Sequence, residues 1–243
     1  MSNEAFEKFV RRLANKLGLD ITRYRPAMTD VGRLATMLAH HQVDCMLDIG
    51  ANTGQFATAL RNAGYAGRIV SFEPLSSAHR ELSAAAQRDE LWTAADRVAV
   101  GDRQGETEIQ IAGNSVSSSV LDMLDSHVSA APASGYIGSE QVEIKTLDVL
   151  VLEYAAAESR TFIKIDTQGF ESQVLDGAAD TLQKATGVQL ELSLVPLYAQ
   201  QELFDELSDR MRNLGFVPWA IWPALFDPQT GRMIQADATF FRD

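Results

Sequence analysis

The chain has 243 residues, enough for one sizeable α/β core and short for two independent enzyme domains. Its 33 acidic and 21 basic residues give a formal charge of −12. Such a surface repels phosphate backbones, so we expect no nucleic-acid partner. The single cysteine, Cys45, excludes an internal disulfide and a cysteine-built zinc site.

The N-terminal part, 1–41, is predicted to form two helices. Apolar residues recur at helical spacing from Phe6 to Leu17, and a second helix is predicted over 31–41. Charged residues interrupt the first apolar stretch, and no later segment reaches the roughly 20 apolar residues of a membrane span. We therefore expect a cytoplasmic protein without membrane insertion.

From Val43 onward the sequence alternates between buried strands and amphipathic helices. Strands are predicted at Cys45–Ile49, Arg68–Phe72, 97–100, 106–111, 162–165, 188–194, 216–222 and 234–241. Helices are predicted at Gln55–Asn62, from Ser76, and at 147–156, 171–184 and 203–214. Repeated βα units predict a single α/β domain, 1–243, with a mostly parallel, doubly wound sheet and an antiparallel C-terminal edge strand.

The segment 113–138 departs from this alternation. It is rich in Ser, Ala and Gly, its apolar residues show little periodicity, and it is too long for a simple connector in a compact domain. Loops of this length are commonly lids or binding loops. We therefore expect residues 113–138 to form a lid or substrate loop.

A glycine-containing turn follows the first buried strand. The residues predicted to surround a ligand there are Asp48, Gly50, Ala51, Asn52 and Gly54. A glycine turn between a strand and a helix lets backbone amides approach a ligand closely. The next strand ends at Glu73 and Pro74. A carboxylate there can accept hydrogen bonds from both hydroxyls of a ribose, so the two turns predict a nucleoside cofactor rather than a tight turn with a surface acid.

The glycine spacing distinguishes between two such cofactors. The dinucleotide fingerprint requires glycine at the first, third and sixth positions. Counted from Gly50, the third and sixth positions hold Asn52 and Gln55. Asp48 ahead of the turn suits a cationic ligand better than a diphosphate. S-adenosylmethionine carries a sulfonium and an amino group and needs no pyrophosphate site, so the motif favours S-adenosylmethionine.

Six sequence blocks, in order, resemble the FkbM family of methyltransferases from Thr29 onward. They are 48–56 (DIGANTGQF), 71–74 (SFEP), 98–105 (VAVGDRQG), 114–119 (NSVSSS), 164–171 (KIDTQGFE) and 191–198 (ELSLVPLY). The resemblance implies a Rossmann-like class I methyltransferase fold that uses S-adenosylmethionine, typically to methylate hydroxyl groups of sugars or natural products.

The resemblance also implies roles for individual residues. Gly50 and Asn52 would line the cofactor, Glu73 would hold its ribose, and Asp102 would lie near the adenine. Asp102 equally suits a turn residue before Gly105. The chain departs from the family pattern at Gln168, where many relatives carry Glu.

Methyl transfer to a hydroxyl needs a group that takes the acceptor's proton, and three residues are candidates. Asp166 follows a strand at the edge where doubly wound folds bind ligands, although it also suits a helix cap. Glu191 lies on the next strand and faces either the solvent or the site. His127 lies in the segment 113–138, and its imidazole suits a base at neutral pH, although a solvated loop histidine fits as well.

Substrate contacts are predicted for Ser117, Ser118 and Lys164. Asp166 and Glu191 are also hard-cation ligands, but nothing clearly completes an oxygen-ligand set, so we expect no metal. The function predicted is O-methylation of a small hydroxylated acceptor, a sugar or a glycosylated natural product. The alternatives are a nicotinamide-dependent oxidoreductase and a catalytically silent cofactor-binding scaffold. Aromatic residues near the C-terminus predict a packed terminal hairpin or a homodimer surface.

Overall fold

The computed structural model describes residues 3–19, 21, 28–154 and 159–242. Its helices within these ranges are α1 (Asn3–Lys16), α2 (Asp30–His40), α3 (Gln55–Asn62), α4 (Ser76–Ala86), α5 (Asp125–Ala130), α6 (Leu147–Tyr154), α7 (Glu171–Asp176), α8 (Ala179–Lys184) and α9 (Phe204–Asn213). Part of the predicted helical region 1–41 and the end of the predicted helix 147–156 lie outside the described residues.

The strands are β1 (Cys45–Ile49), β2 (Arg68–Phe72), β3 (Trp92–Ala94), β4 (Ala99–Val100), β5 (Gly105–Ala112), β6 (Tyr136–Lys145), β7 (Thr161–Ile165), β8 (Gly187–Ser193), β9 (Val217–Phe226) and β10 (Met233–Phe241). Seven of them form one sheet in the order β3-β2-β1-β7-β8-β10-β9. All pairs are parallel except those of β10 with β8 and β9. The predicted mostly parallel, Rossmann-like α/β sheet with an antiparallel C-terminal edge is confirmed.

The strand order places a topological switch point at the centre of the sheet. The chain leaves β1 for β2 and β3 on one side and returns to β7 and β8 on the other. Open α/β sheets bind ligands outside the carboxyl ends of the strands at such a point. Both faces of the central strands are covered, as a parallel sheet requires. Leu34, Met46 and Leu60 belong to the cluster on one face, and Ile163 and Leu190 to the cluster on the other.

A second, three-stranded sheet has the order β4-β6-β5. The predicted strand 97–100 is shorter than expected and belongs to this sheet, where Ala99 pairs with Ile144. Strands β3 and β6 were not predicted, because β3 has only three residues and β6 carries mostly exposed ones. The predicted helix 171–184 is interrupted at Gly177. The backbone there lies against the Gly101 carbonyl and leaves no room for a side chain, so this position requires glycine.

The segment 113–138 has more regular structure than its sequence predicts. It contains α5, a 3₁₀ turn at Pro132–Ser134 and the start of β6. Backbone bridges join Ser119 to Gln110 and Met123 to Tyr198. The segment is therefore anchored to both β5 and the loop after β8. Among the described helices, none is long and apolar enough to cross a membrane.

Candidate active site

The turn after β1 is fixed by close backbone contacts. Gly50 has a φ of +76°, and a Cβ atom there would collide with the carbonyl oxygen of Asp166. The amides of Gly50 and Ala51 both donate to the Phe72 carbonyl at 3.1 Å. Position 50 therefore requires glycine because the Asp166 carbonyl, directly after β7, packs against it. The sequence had suggested a different reason, contact with a ligand.

Glu73 connects the ends of β1 and β2. Its Oε2 accepts from the Asn52 amide at 2.8 Å and its Oε1 from the Leu75 amide at 2.9 Å. Asn52 adopts a left-handed backbone with φ +47° in this turn. Burial raises the pKa of Glu73 to about 7, although the two amide donors act to lower it. Each oxygen keeps a lone pair for a further hydrogen bond.

A cavity that is partly open to solvent lies between these turns and the second sheet. Its polar wall includes Gly50, Asn52, Glu73, Pro74 and Asp166. Its apolar wall is formed by Phe72, Leu75, Val98, Ala99, Val100, Ile109, Val116, Val120 and Phe170. The cavity thus combines one apolar side, suited to a planar base, with a polar side at the switch point.

Three charged residues, Asp166, Lys164 and Asp48, lie in contact with one another, and Asp166 lies on the cavity wall. The Lys164 ammonium lies 3.2 Å from Asp166 Oδ2 and 3.5 Å from Asp48 Oδ1. Asp48 is fully buried, and its Oδ2 accepts from the Ser71 hydroxyl at 3.1 Å. Burial acts to lower the pKa of Lys164, but the Asp166 and Asp48 carboxylates outweigh it and raise this pKa. Lys164 is thus shared between Asp166 and Asp48, and burial raises the pKa of Asp48 although the Lys164 charge acts to lower it.

Gln168 links the two predicted catalytic carboxylates. Its Nε2 donates to Asp166 Oδ1 at 2.8 Å and to Glu191 Oε2 at 2.6 Å. The Tyr198 hydroxyl donates to Gln168 Oε1 at 2.9 Å, which fixes the orientation of the amide. Gln235 donates to the same Glu191 oxygen at 3.0 Å. The result is one connected network that extends from Lys164 to Gln235.

The Methyltransferase FkbM domain model matches residues 48–218, more than half of the chain. The chain belongs to the FkbM methyltransferase family. A curated relative, the 2-O-methyltransferase NoeI of Sinorhizobium fredii, is 29% identical in an alignment of length 171 that covers 66% of this chain and 65% of NoeI. The matched region therefore spans slightly less than two thirds of the relative's length.

Two solved structures are distant in sequence from this FkbM domain. TehB from Haemophilus influenzae is 9% identical with a TM-score of 0.48, over 88% of this chain and 62% of TehB. The magnesium protoporphyrin IX methyltransferase ChlM from Synechocystis is 11% identical with a TM-score of 0.44, over 97% of this chain and 96% of ChlM. That structure contains bound S-adenosylmethionine.

The FkbM cavity has only some of the predicted cofactor residues on its wall. Gly50, Asn52, Glu73 and Pro74 lie there. Ala51 and Gly54 lie behind the wall, and a Cβ atom at Gly54 would lie 2.8 Å from the Trp92 ring. Asp48 faces Lys164 beneath the turn instead of the cavity. Asp102 lies outside the cavity and pairs with Arg103 at 3.0 Å, which fits the turn alternative.

The structure places His127 away from the cavity wall. It is 2% exposed, and its ring meets Tyr198 edge-on with centroids 5.0 Å apart. Burial lowers the pKa of His127. The segment around it is packed, so the histidine would reach an acceptor only if α5 moved. The structure gives no direct support for His127 as the base.

The predicted substrate residues have structural partners. Ser117 Oγ accepts from the Asn114 amide at 3.0 Å, and Ser118 Oγ donates to the Ser115 carbonyl at 2.7 Å. Ser118 is on the cavity wall, whereas Ser117 and Lys164 are not. These serines shape the turn at 114–119, and that turn closes one side of the cavity.

A third carboxylate, which was not predicted from the sequence, lies near Asp166 and Glu191. Asp237 on β10 pairs in register with Glu191. Burial and the nearby Asp166 raise the pKa of Asp237 to about 6, and burial with Asp166 and Asp237 raises that of Glu191. Among the described residues no group of three or more His, Cys, Asp or Glu has metal-binding geometry.

Proposed function

We propose that this FkbM domain transfers a methyl group from S-adenosylmethionine to a hydroxyl of a small acceptor. The observation that carries the proposal is the cavity at the switch point, with Glu73 and Asp166 both on its polar wall. Family membership and the 2-O-methyltransferase activity named for NoeI support the same reaction. The extent of the domain, 1–243, is part of the proposal.

Glu73 and Asn52 would hold the ribose of the cofactor. In its ionised form Glu73 accepts hydrogen bonds only, and its free lone pairs suit two neighbouring hydroxyl donors. The apolar wall around Val98–Val100 and Phe170 would cover the adenine. S-adenosylmethionine supplies an electrophilic methyl group on a sulfonium. The protein supplies the position of the acceptor and a destination for its proton.

Asp166 is the residue we assign as general base. Its side chain is 33% exposed at the cavity wall, so an acceptor hydroxyl can reach it. Lys164 and Gln168 hold its two oxygens in place. The acceptor hydroxyl would pass its proton to Asp166 while its oxygen bonds to the methyl carbon and the carbon–sulfur bond breaks. Glu191, which accepts from two amides, is a positioning residue in this scheme.

A metal ion has no role in this proposal. The Gln168 amide donates into the space between Asp166 and Glu191, where a cation would have to lie. A divalent ion prefers carboxylate and carbonyl oxygens without competing N–H donors. We therefore propose that the reaction proceeds with protein groups and S-adenosylmethionine alone.

The acceptor is proposed to be a sugar or a glycosylated natural product, and the segment 113–138 to close over it. The turn at 114–119 already forms one wall of the cavity.

We expect calorimetry to detect binding of S-adenosylhomocysteine and no binding of NAD. A panel of sugars and glycosides incubated with labelled S-adenosylmethionine should then give a labelled methyl ether. Cofactor binding without any labelled product across the panel would favour a silent scaffold.

A further inference from the structure

Helix α1 carries an exposed apolar stripe. Phe6, Phe9 and Leu13 on the helix, and Leu17 directly after it, are between 55% and 74% exposed, and Leu19 is 58% exposed. Ala14 is the buried residue of this helix, and its carbonyl accepts from the amides of the turn that follows. Large contiguous apolar patches on a protein surface mark sites of interaction with proteins, membranes or ligands.

The stripe has the geometry of an amphipathic helix. Positions 6, 9, 13 and 17 recur every three or four residues, so they fall within one apolar face about 100° wide. Arg12 and Lys16 are exposed and lie on the flank of this face next to Phe9. The helix therefore presents aromatic and aliphatic side chains with basic residues along one side.

The charge of this region is opposite to that of the rest of the chain. The first 28 residues contain six Lys or Arg and three Asp or Glu, which leaves 15 bases and 30 acids for the other 215 residues. A basic apolar segment on an acidic body is attracted to an anionic surface, whereas the body itself is repelled.

A second copy of the chain fits this stripe less well. One groove outside the active site is lined by Glu202, Glu206 and Asp209, and another by His40, Arg160 and Lys184. The apolar lining is limited to Leu214 in the first groove and to Ala185 and Trp219 in the second, which is little surface for four large apolar side chains. A lipid surface provides an apolar layer beneath an anionic headgroup layer, which is the combination that the helix presents.

We propose that α1 is an interfacial helix that lies on an anionic phospholipid surface. Phe6, Phe9, Leu13 and Leu17 would enter the boundary between headgroups and acyl chains, and Arg12 and Lys16 would contact the headgroups. The helix would not span the bilayer. The proposal is independent of the proposed methyl transfer, because none of these residues contributes to the cavity wall.

Co-sedimentation of the full chain with vesicles tests the proposal. We expect binding to phosphatidylcholine vesicles that contain phosphatidylglycerol, weaker binding to phosphatidylcholine alone, and release at high salt. Phe9→Ser combined with Leu13→Ser should lower the partition coefficient at least about tenfold. Arg12→Gln combined with Lys16→Gln should lower it about fivefold for each base removed. Leu152→Ser, at a residue 84% exposed on α6, is the matched control and should bind as the wild type.

Light scattering of the same proteins tests the alternative that the stripe binds a second copy of the chain. A dimer that Phe9→Ser with Leu13→Ser dissociates, without vesicle binding by the wild type, would assign the stripe to a second copy and overturn the proposal. Vesicle binding that is equal on neutral and anionic lipid, or that the double variants do not reduce, would also overturn it. Unchanged thermal unfolding of the variants shows that the fold is intact.

Discussion

Cofactor affinity should depend on pH through Glu73. The carboxylate is buried between two amide donors, and its pKa is raised to about 7 in the protein without cofactor. Two ribose hydroxyls would donate to the ionised form, whereas the protonated form has lost acceptor capacity. Binding of S-adenosylhomocysteine should therefore be strongest above pH 7 and weaken below it.

The size of this effect follows from linkage. If only the ionised carboxylate binds, the carboxylate is half ionised at pH 7 and about 1% ionised at pH 5, so affinity falls about 50-fold, or roughly 2.3 kcal/mol, between these two pH values. The stability of the cofactor-free protein should change in the opposite direction. Because the folded pKa of Glu73 lies above its ordinary value of 4.5, ionisation opposes folding, and stability is lost as pH rises from about 4.5 to 7.

Titration calorimetry with S-adenosylhomocysteine between pH 5 and pH 8 measures the effect. Glu171 and Asp237 have pKa values raised to about 7 and 6, so they also titrate in this interval. The variant Glu73→Gln separates their contribution, because its affinity should be low and nearly independent of pH. An affinity of the wild type that stays constant from pH 8 to pH 5, or a Glu73→Gln protein with the wild-type pH dependence, would refute the ribose assignment.

Three further predictions concern the catalytic edge. Asp166→Asn should lower turnover by about 10²-fold or more, the scale of a general base, and leave cofactor affinity unchanged in calorimetry. EDTA should leave the turnover of the wild type unchanged. Gly50→Ala should lower the thermal midpoint further than Gly64→Ala, since a Cβ at 64 meets nothing within 4 Å. His127→Ala should lower the midpoint and leave the shape of the pH–rate profile unchanged; loss of an ascending limb near neutrality would restore His127 as the base.

The sheet was predictable because its strands are continuous apolar runs. Cys45–Ile49 and Arg68–Phe72 are buried along their length apart from Arg68, and their predicted bounds agree with the structure. Short or exposed strands carry no such signal. Trp92–Ala94 has three residues, and Tyr136–Lys145 is mostly exposed and pairs with β5 on the other side of the segment 113–138. The pairing of β5 with β6 joins strands that are far apart in the sequence, so it depends on tertiary contacts that the local sequence pattern does not predict.

Site residues were predictable where a motif fixes the backbone position. They were less predictable where the side-chain contacts depend on tertiary packing. Gly50, Asn52 and Glu73 reach the cavity wall because they follow strands at the switch point. The Asp48 side chain points away from the cavity and contacts Lys164. A lysine in an otherwise apolar strand indicates a buried charged partner. His127 was assigned from its chemistry, but burial against Tyr198 was not visible in a segment rich in small residues.

Strand register explains why the acidic cluster has this composition. Three carboxylates, Asp166, Glu191 and Asp237, lie close together at this edge of the sheet. Burial, with repulsion from the neighbouring carboxylates, raises the pKa of Glu191 and of Asp237. Lys164 supplies one positive charge, and the neutral amide of Gln168 supplies N–H donors to both Asp166 and Glu191. A glutamate at position 168 would add a fourth carboxylate and remove those donors. The glutamine is therefore consistent with an edge where Asp166 accepts a proton without a metal ion.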